Sequence, residues 1–338
     1  VNVLLVGLGR WGEKHLRVLR SLGVTVWVAE ISPVRRAWAV SLGVDAERVR
    51  TDYREALAHV DAVDIVTPAD GHLAVATACL DAGLDCFIEK PMTATLAEAH
   101  ELARRASRSD SVVQVGHIFR FHPVTACLRE ALASARIGDV RYVTGRFAGF
   151  KRPRADAGVT LTDALHYFDL FGALLGRAPT GVVATMQDHL GRGLDDVSFT
   201  TVEYGDVPAF VEAGYFAPGT HRECILVGDR GSLAADFARS TVTLHAGAHV
   251  RRGDAWDAVE AGKDALRVGS GEPLALELQA FLDAMRHRGP APVDIEAGLL
   301  ALETAEAAVL SSRLGRRVLL DEVRQPLPYP VGARTPAV

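Results

Sequence analysis

The residues Asp163, His166 and Asp169 recur at intervals of three in Thr-Asp-Ala-Leu-His-Tyr-Phe-Asp, which sets them close together on one side of a helix. An unperturbed imidazole titrates near pH 6.5 and accepts a proton at neutral pH, and a neighbouring carboxylate can orient or polarise it. Lys90 stands in Phe-Ile-Glu-Lys-Pro, at the end of an apolar run. A lysine at the end of a buried strand is costly without a partner or a task, so Lys90 is a candidate for catalysis or cofactor positioning; the alternative is a surface pair with Glu89. An ammonium and an imidazole together can hold a hydroxyl and take its proton.

A second set of residues points to a dinucleotide. Gly7-Leu8-Gly9-Arg10-Trp11-Gly12 directly follows an apolar run and opens a helical stretch. In that setting the first glycine permits a tight turn, the second lets backbone approach a pyrophosphate, and the third lets helix and strand pack closely. Glu30 ends the next apolar run, about 20 residues on, where a carboxylate can bond the adenosine ribose hydroxyls and repel a 2′-phosphate. NAD is therefore expected over NADP, although Ser32, Arg35 and Arg36 lie near enough to keep NADP as the alternative. Thr67-Pro68 and Glu89-Lys90-Pro91 both fall at the carboxyl ends of strands, where parallel sheets bind ligands.

These residues need a scaffold, and its pattern is legible. Asn2–Val6, Val24–Ala29, Ala62–Val66, Cys86–Glu89 and Val112–Gly116 read as strands separated by helix-like stretches. Near-continuous apolar strands alternating with helices make a doubly wound parallel sheet, assigned to residues 1–120. From residue 121 to 338 the texture changes to an α+β domain. Val124–Ala135 and Leu161–Leu175 read as helices, and Val140–Phe150 and the stretch from Gly181 to about His249 as strands of an open, mostly antiparallel sheet. Helices over Leu274–His287 and Ile295–Leu314 follow, with Gly315 as a stop signal, and the proline-containing tail after Gln325 reads as poorly ordered. The outer face of the alternating strands between Val197 and Leu233 must be covered.

The glycine fingerprint, Thr67-Pro68 with His72, Glu89-Lys90-Pro91, and Gly116-His117 followed by Arg120-Phe121 and Pro123 together resemble the glucose–fructose oxidoreductase/inositol dehydrogenase/MocA family. The likeness spans nearly the whole chain, through His166 to Asp169 and the closing Ala301–Ala307, Ser311-Ser312 and Gly315. It implies a dinucleotide domain joined to a domain whose open sheet walls the substrate site and commonly forms an oligomer interface. It also implies a histidine at position 166 bonded to the reacting hydroxyl, and a site position at His117. The sequence departs from the commoner family pattern where an aspartate stands four residues before that histidine: Thr162 occupies the place, and Asp163 comes one residue late. Lys90 and His166 are thus the primary catalytic candidates, with Asp163 and Thr162 secondary. Lys90, His117, Arg120, Arg152, Asp163 and His166 are candidates for holding substrate. The cofactor candidates are Gly7, Gly9, Arg10, Trp11, Gly12, Glu30, Thr67, Pro68, His72, Glu89 and Lys90.

Lys151, Arg152 and Arg154 could meet a phosphate on the substrate, or form a solvated charge cluster. His15 could touch the cofactor or pack against the sheet.

Composition narrows the function classes. Hydrophobic residues at 49% and charged residues at 23% suit a packed globular protein. A net charge of −5 gives no cationic field for nucleic acid or anionic lipid, so small molecules are the expected partners. Cys79, Cys86, Cys127 and Cys224 lack zinc-site spacing and read as reduced thiols, and no metal is expected. No signal-peptide pattern or membrane-length apolar run stands out, which makes a cytoplasmic protein the expectation. The expected activity is NAD-dependent oxidation of a secondary hydroxyl on a sugar, amino sugar, sugar nucleotide or cyclitol, in a homodimer or homotetramer. Two alternatives stand beside it: an NADP-dependent aldose or ketosugar reductase, and a non-catalytic sensor of the same fold.

Overall fold

In the computed structural model, which describes residues 1–324, the apolar run Asn2–Val6 becomes the central strand β1 of a six-stranded sheet. It pairs in parallel with β2 (Thr25–Ala29) on one side and β4 (Ala62–Ile65) on the other, the latter buried at every position. With β3 (Val49–Arg50), β5 (Asp85–Glu89) and β6 (Val113–Gly116) the order is β3-β2-β1-β4-β5-β6, all parallel. The order reverses beside β1, which opens a crevice past the carboxyl ends of β1 and β4. Helices α1 (Gly12–Ser21), α2 (Pro33–Ser41), α3 (His72–Asp81) and α4 (Leu96–Ala106) cover the sheet. Ser32 caps α2, and Thr95 with Glu98 forms a capping box on α4, so both helices start where side-chain oxygens satisfy free backbone N–H groups.

The second sheet has nine strands in the order β14-β13-β12-β11-β7-β10-β9-β8-β15. Its strands are β7 (Val140–Gly149), β8 (Gly181–Gln187), β9 (Val197–Tyr204), β10 (Val207–Gly214), β11 (Thr220–Gly228), β12 (Gly231–Asp236), β13 (Thr241–Arg252), β14 (Ala255–Leu266) and β15 (Val318–Leu319). Among the described residues only its β7–β10 pairing is parallel. Helices α5 (Pro123–Ala133) and α6 (Leu165–Leu175) and part of α8 (Ile295–Leu314) pack on its inner face. Tyr167 of α6 donates its hydroxyl to the carbonyls of Arg146 and Glu223, on β7 and β11. That close approach requires Gly145, where an added Cβ would stand 2.7 Å from the Tyr167 ring. A glycine in β7 therefore sets how near α6, and with it His166, lies to the sheet.

The chain does not leave its first domain behind at residue 120. Helix α7 (Pro273–His287) returns to the parallel sheet, placing Leu274, Leu278 and Phe281 in one cluster with Val3, Leu5 and Phe87. The first turns of α8 add Ile295, Leu299 and Leu302 to the cluster on the opposite face, with Leu4 and Val115. Antiparallel pairing runs beyond the expected limit near His249 to Leu266, through the long hairpin of β13 and β14. The proline-containing tail after Gln325 lies outside the described residues. No helix among the described residues is long and apolar enough to cross a membrane.

Candidate active site

The fingerprint loop is built as its glycines demand. Gly7 has φ +94, a left-handed conformation that disfavours any side chain, and a Cβ there would press 2.8 Å from the Val66 carbonyl. A Cβ on Gly12 would fall 2.2 Å from the Gly7 oxygen, whereas one on Gly9 would project into open space. The loop thus closes tightly at both ends and stays bare at its middle, the surface a pyrophosphate needs. At the end of β2 the Glu30 carboxylate accepts from the backbone N–H of Leu8 at 2.7 Å and of Ser32 at 2.8 Å, which fixes it beside the loop. Arg35 pairs with Glu13, and Arg36 donates to the carbonyls of Glu30 and Ile31. Arg10 is exposed on the loop's rim.

Beneath the loop lies a charged cluster. Trp11 donates its indole N–H to Oε1 of Glu89 at 2.6 Å, and the other oxygen of Glu89 accepts from the Lys90 backbone at 3.0 Å. His15, fully buried on α1, has Nδ1 2.8 Å from Asp64 on β4 and Nε2 3.3 Å from Glu89. Burial alone would lower the imidazole pKa, but the two carboxylates outweigh it and hold His15 up at about 10. Burial likewise pushes Glu89 up, and the contacts from His15, Lys90 and Trp11 overcome it, leaving Glu89 below its usual range. Glu89 therefore faces inward and braces the loop from below. His72 is also buried, with one ring nitrogen 2.9 Å from the Thr67 carbonyl and the other 3.1 Å from that of Pro91. It ties together the two strand-end loops, while the buried Thr67 hydroxyl has no hydrogen-bond partner among the described residues and Pro68 is exposed.

Lys90 reaches from the first domain to the second. Its Nζ donates to the carbonyl of Thr162 at 2.8 Å. Burial lowers its pKa, against the pull of Glu89 and Asp163. Thr162 lies in a π-helical turn, Thr160–Ala164, that leads into α6 and is anchored by Asp195, which accepts from the backbone and the hydroxyl of Thr160. Single π turns concentrate at functional sites because the widened turn redirects side chains. Here the Thr162 hydroxyl bonds back to Gly158, and it is Asp163 that reaches the Nζ of Lys151, at 2.6 Å. The structure thus brings Asp163 into the Lys90 neighbourhood and gives Thr162 a part only through its carbonyl.

One turn on, the His166 ring lies nearly parallel to Phe119 and Phe147, with centroids 4.8 and 5.4 Å away. Neither ring nitrogen makes a hydrogen bond among the described residues, and Nδ1 is buried. Burial, reinforced by Lys90, His117, Arg222 and Lys151, pushes His166 well below its usual pKa, so the imidazole is neutral and its nitrogens are unspent. Asp169 does not orient it: that carboxylate is gripped by Arg120, whose Nε lies 2.8 Å from Oδ2, with His117 Nδ1 3.8 Å away. Arg152 is exposed and makes no hydrogen bond among the described residues.

Arg222 of β11 and Tyr215 complete the wall and were not anticipated from sequence. Arg222 stacks on Phe147, and Lys151 lies over both Phe147 and Tyr215. Asp64 carried a readable signal, an acidic residue inside the apolar run Ala62–Ile65. Arg222 carried none, because only strand register brings it opposite Phe147.

Residues 1–117 match the profile of an oxidoreductase family described by its NAD-binding Rossmann fold, and residues 129–320 match that family's C-terminal alpha/beta domain. The chain is 30% identical over 309 residues to UDP-N-acetylglucosamine 3-dehydrogenase of Acidithiobacillus ferrooxidans, covering 89% of this chain and 94% of that protein. It is also 30% identical over 354 residues to inositol 2-dehydrogenase 1 of Saccharopolyspora erythraea, covering 97% and 99%. The solved structure of the Acidithiobacillus ferrooxidans enzyme superposes with a TM-score of 0.80 at 25% identity, over 93% of this chain and 97% of that one.

Proposed function

The chain belongs to the glucose–fructose oxidoreductase/inositol dehydrogenase/MocA family of oxidoreductases, and from that premise we propose that it oxidises a secondary hydroxyl of a sugar, amino sugar, sugar nucleotide or cyclitol, with NAD as hydride acceptor. The observation that carries this reading is the convergence of Lys90 and His166: a part-buried ammonium bonded to the turn that starts the helix of a neutral imidazole with no hydrogen-bond partner among the described residues. The relatives named above act on ring hydroxyls of an amino-sugar nucleotide and of inositol, which suits such a pair.

The residues divide the work. Bound NAD supplies the hydride acceptor. The bare middle of the Gly7–Gly12 loop receives its pyrophosphate, and Glu30, already fixed by two backbone donors, takes the ribose hydroxyls. Glu30 with Arg35 and Arg36 engaged elsewhere supports NAD over NADP. Lys90 keeps two N–H groups beyond the one given to Thr162, and one of these holds the substrate hydroxyl oxygen and stabilises the negative charge that grows there. His166 accepts the hydroxyl proton at Nε2, since Nδ1 is buried. Asp163, bonded to Lys151, balances the positive charge around Lys90.

A second copy of the chain covers the outer face of the nine-stranded sheet. Phe199 is 56% exposed and Phe210 46% on that face, beside Tyr142, Val183 and Ile225, more apolar surface than a lone sheet face leaves in water.

The direct test is to incubate the purified protein with NAD and a panel of inositols, aldoses, amino sugars, uronic acids and sugar nucleotides, and to follow reduced nicotinamide by absorbance. Reduction with at least one of them is expected. Absence of reduction across the panel, with NAD shown to bind, would reject the reading.

A further inference from the structure

We propose that the substrate carries an oxyanion, a carboxylate or a phosphoester, and that Arg222 and Lys151 bind it at the rim of the cleft beside His166. This rests on the reading of the site as that of a sugar or cyclitol dehydrogenase and narrows it to acidic members of the class.

The starting observation is Arg222. It sits on the inner face of β11, in register with Phe147 of β7, and its guanidinium carbon lies 3.4 Å from the centre of that ring. Its Nη1 donates to the carbonyls of Ala148 and His221. The Nε and Nη2 edge, the fork whose spacing matches a carboxylate or phosphate, donates to nothing among the described residues, and no carboxylate pairs with Arg222 there. A part-buried guanidinium is costly without a counter-ion, and here burial already weakens its hold on the proton.

The surroundings do not supply the missing charge. Lys151 Nζ lies 4.7 Å from the same Phe147 ring and 5.3 Å from Tyr215. Asp163 is the one carboxylate that acts on Lys90, Lys151 and Arg222 together, and it is spent in its contact with Lys151. Arg154 pairs with Asp156. Asp156, which also feels Lys90, is spent in that pair, and Glu89 is turned toward Trp11 and His15. Lys90, Lys151, Arg154 and Arg222 thus face two carboxylates, Asp163 and Asp156, each already engaged by a cation, next to the ring that flanks His166. A neutral polyol offers hydroxyls to Lys90 and His166 but leaves this excess uncompensated. An anionic substituent on the same ring or chain supplies the counter-charge and fills the idle fork.

The test compares matched neutral and anionic ligands on the NAD-loaded enzyme: glucose with glucuronate, glucose with glucose 6-phosphate, and N-acetylglucosamine with its uridine diphosphate ester. Turnover is measured for each, along with binding to the NADH-loaded protein at low and high salt. The proposal expects at least one anionic member to be favoured by about 10–100-fold, the worth of a charge-assisted contact, with the preference shrinking in salt. Arg222→Gln should abolish that preference mainly through KM, while Arg222→Lys, which keeps charge without the fork, should restore part of it. The pair that responds separates a carboxylate from a phosphoester. Neutral members turned over as well as their anionic partners would overturn the proposal and leave the dehydrogenase reading standing. Should no sugar be turned over, that reading fails, and binding decides: salt-sensitive binding of an anionic sugar, lost in Arg222→Gln, upholds the oxyanion site, and its absence overturns it.

Discussion

The Nζ of Lys90 lies 2.8 Å from the carbonyl oxygen of Thr162, so the loop after β5 and the π turn before α6 are joined by one hydrogen bond across the cleft. The contact fixes the direction of a part-buried ammonium and leaves two of its protons for a ligand. Lys90→Met should therefore lower kcat by about 10²–10³-fold, the usual effect of removing a donor aimed at developing negative charge. NAD affinity should fall less than in Gly9→Val, which would obstruct the loop itself. Equal loss of NAD affinity in the two variants, measured by fluorescence titration, would mean that Lys90 serves the cofactor rather than the hydroxyl.

His166 must be neutral to accept a proton, and burial with neighbouring cations holds its pKa well below 6.5. Because the pKa is lowered, the active form is lost only as pH falls through that low value, and alcohol oxidation should be insensitive to His166 across neutral pH. A rate that falls in alkali belongs to Lys90, whose ammonium is lost sooner than a free lysine's because burial lowers its pKa from the usual lysine range. His166→Ala should lower kcat by about 10²–10⁴-fold and erase the acid limb of the pH profile. Survival of that limb with near-normal kcat would transfer the base role to Lys90.

Cofactor choice follows from Glu30, which already accepts from two backbone N–H groups and so stays at the ribose position. Titration should give tighter binding of NAD than of NADP, and Glu30→Ala should narrow the gap. Tighter NADP binding by the unaltered protein would contradict the assignment.

The His15 cluster links stability to pH. Its folded pKa of about 10 stands above the value near 6.5 of an unfolded histidine, so its contribution is complete below about pH 6.5 and is lost as pH rises through 10. Urea unfolding should show stability declining over that window, and His15→Gln should flatten the decline. His15→Ala, which strands Asp64 and Glu89 in the core, should cost about 3–5 kcal/mol at neutral pH. A pH-independent difference between the variant and the parent would rule out a protonated His15.

For the outer sheet face, light scattering should report a dimer or tetramer, and the double substitution Phe199→Asp with Phe210→Asp should yield smaller species. A monomer at micromolar concentration before substitution would refute the assembly.

Much of this architecture is written locally. The strands from Asn2 to Gly116 and the two late helices fall within a residue or two of where apolar runs and caps place them, because each has a buried face and a marked end. The exceptions lack such a face. Strand β3 is two residues long, and β14 is exposed along nearly its whole length, so neither carries a readable period. Lys90 and His166 were legible from motif and spacing. The acidic partner was not settled by spacing, because in the π turn at Thr160–Ala164 the Thr162 hydroxyl turns back to Gly158 while Asp163 reaches Lys151, and no sequence period announces such a turn. The lowered pKa of His166 was not legible either: burial is its main cause, and the cations that add to it come from β11 and the loops after β5, β6 and β7.

The return of α7 and the start of α8 to the parallel sheet bears on how the protein is made. A ribosome releases β1 to β6 early, yet Leu278, Phe281, Leu299 and Leu302 emerge only near the end of synthesis. Until then both layers of the nucleotide domain lack part of their cover, and Phe87 and Val115 lack the partners that α7 and α8 supply. The nucleotide domain therefore completes its core only at the end of synthesis, and its nascent form carries exposed apolar surface while the far end is still being built. A fragment cut after residue 120 inherits the same defect permanently, so the dinucleotide module lifted out alone should be less stable and stickier than one that brings residues 273–302 along.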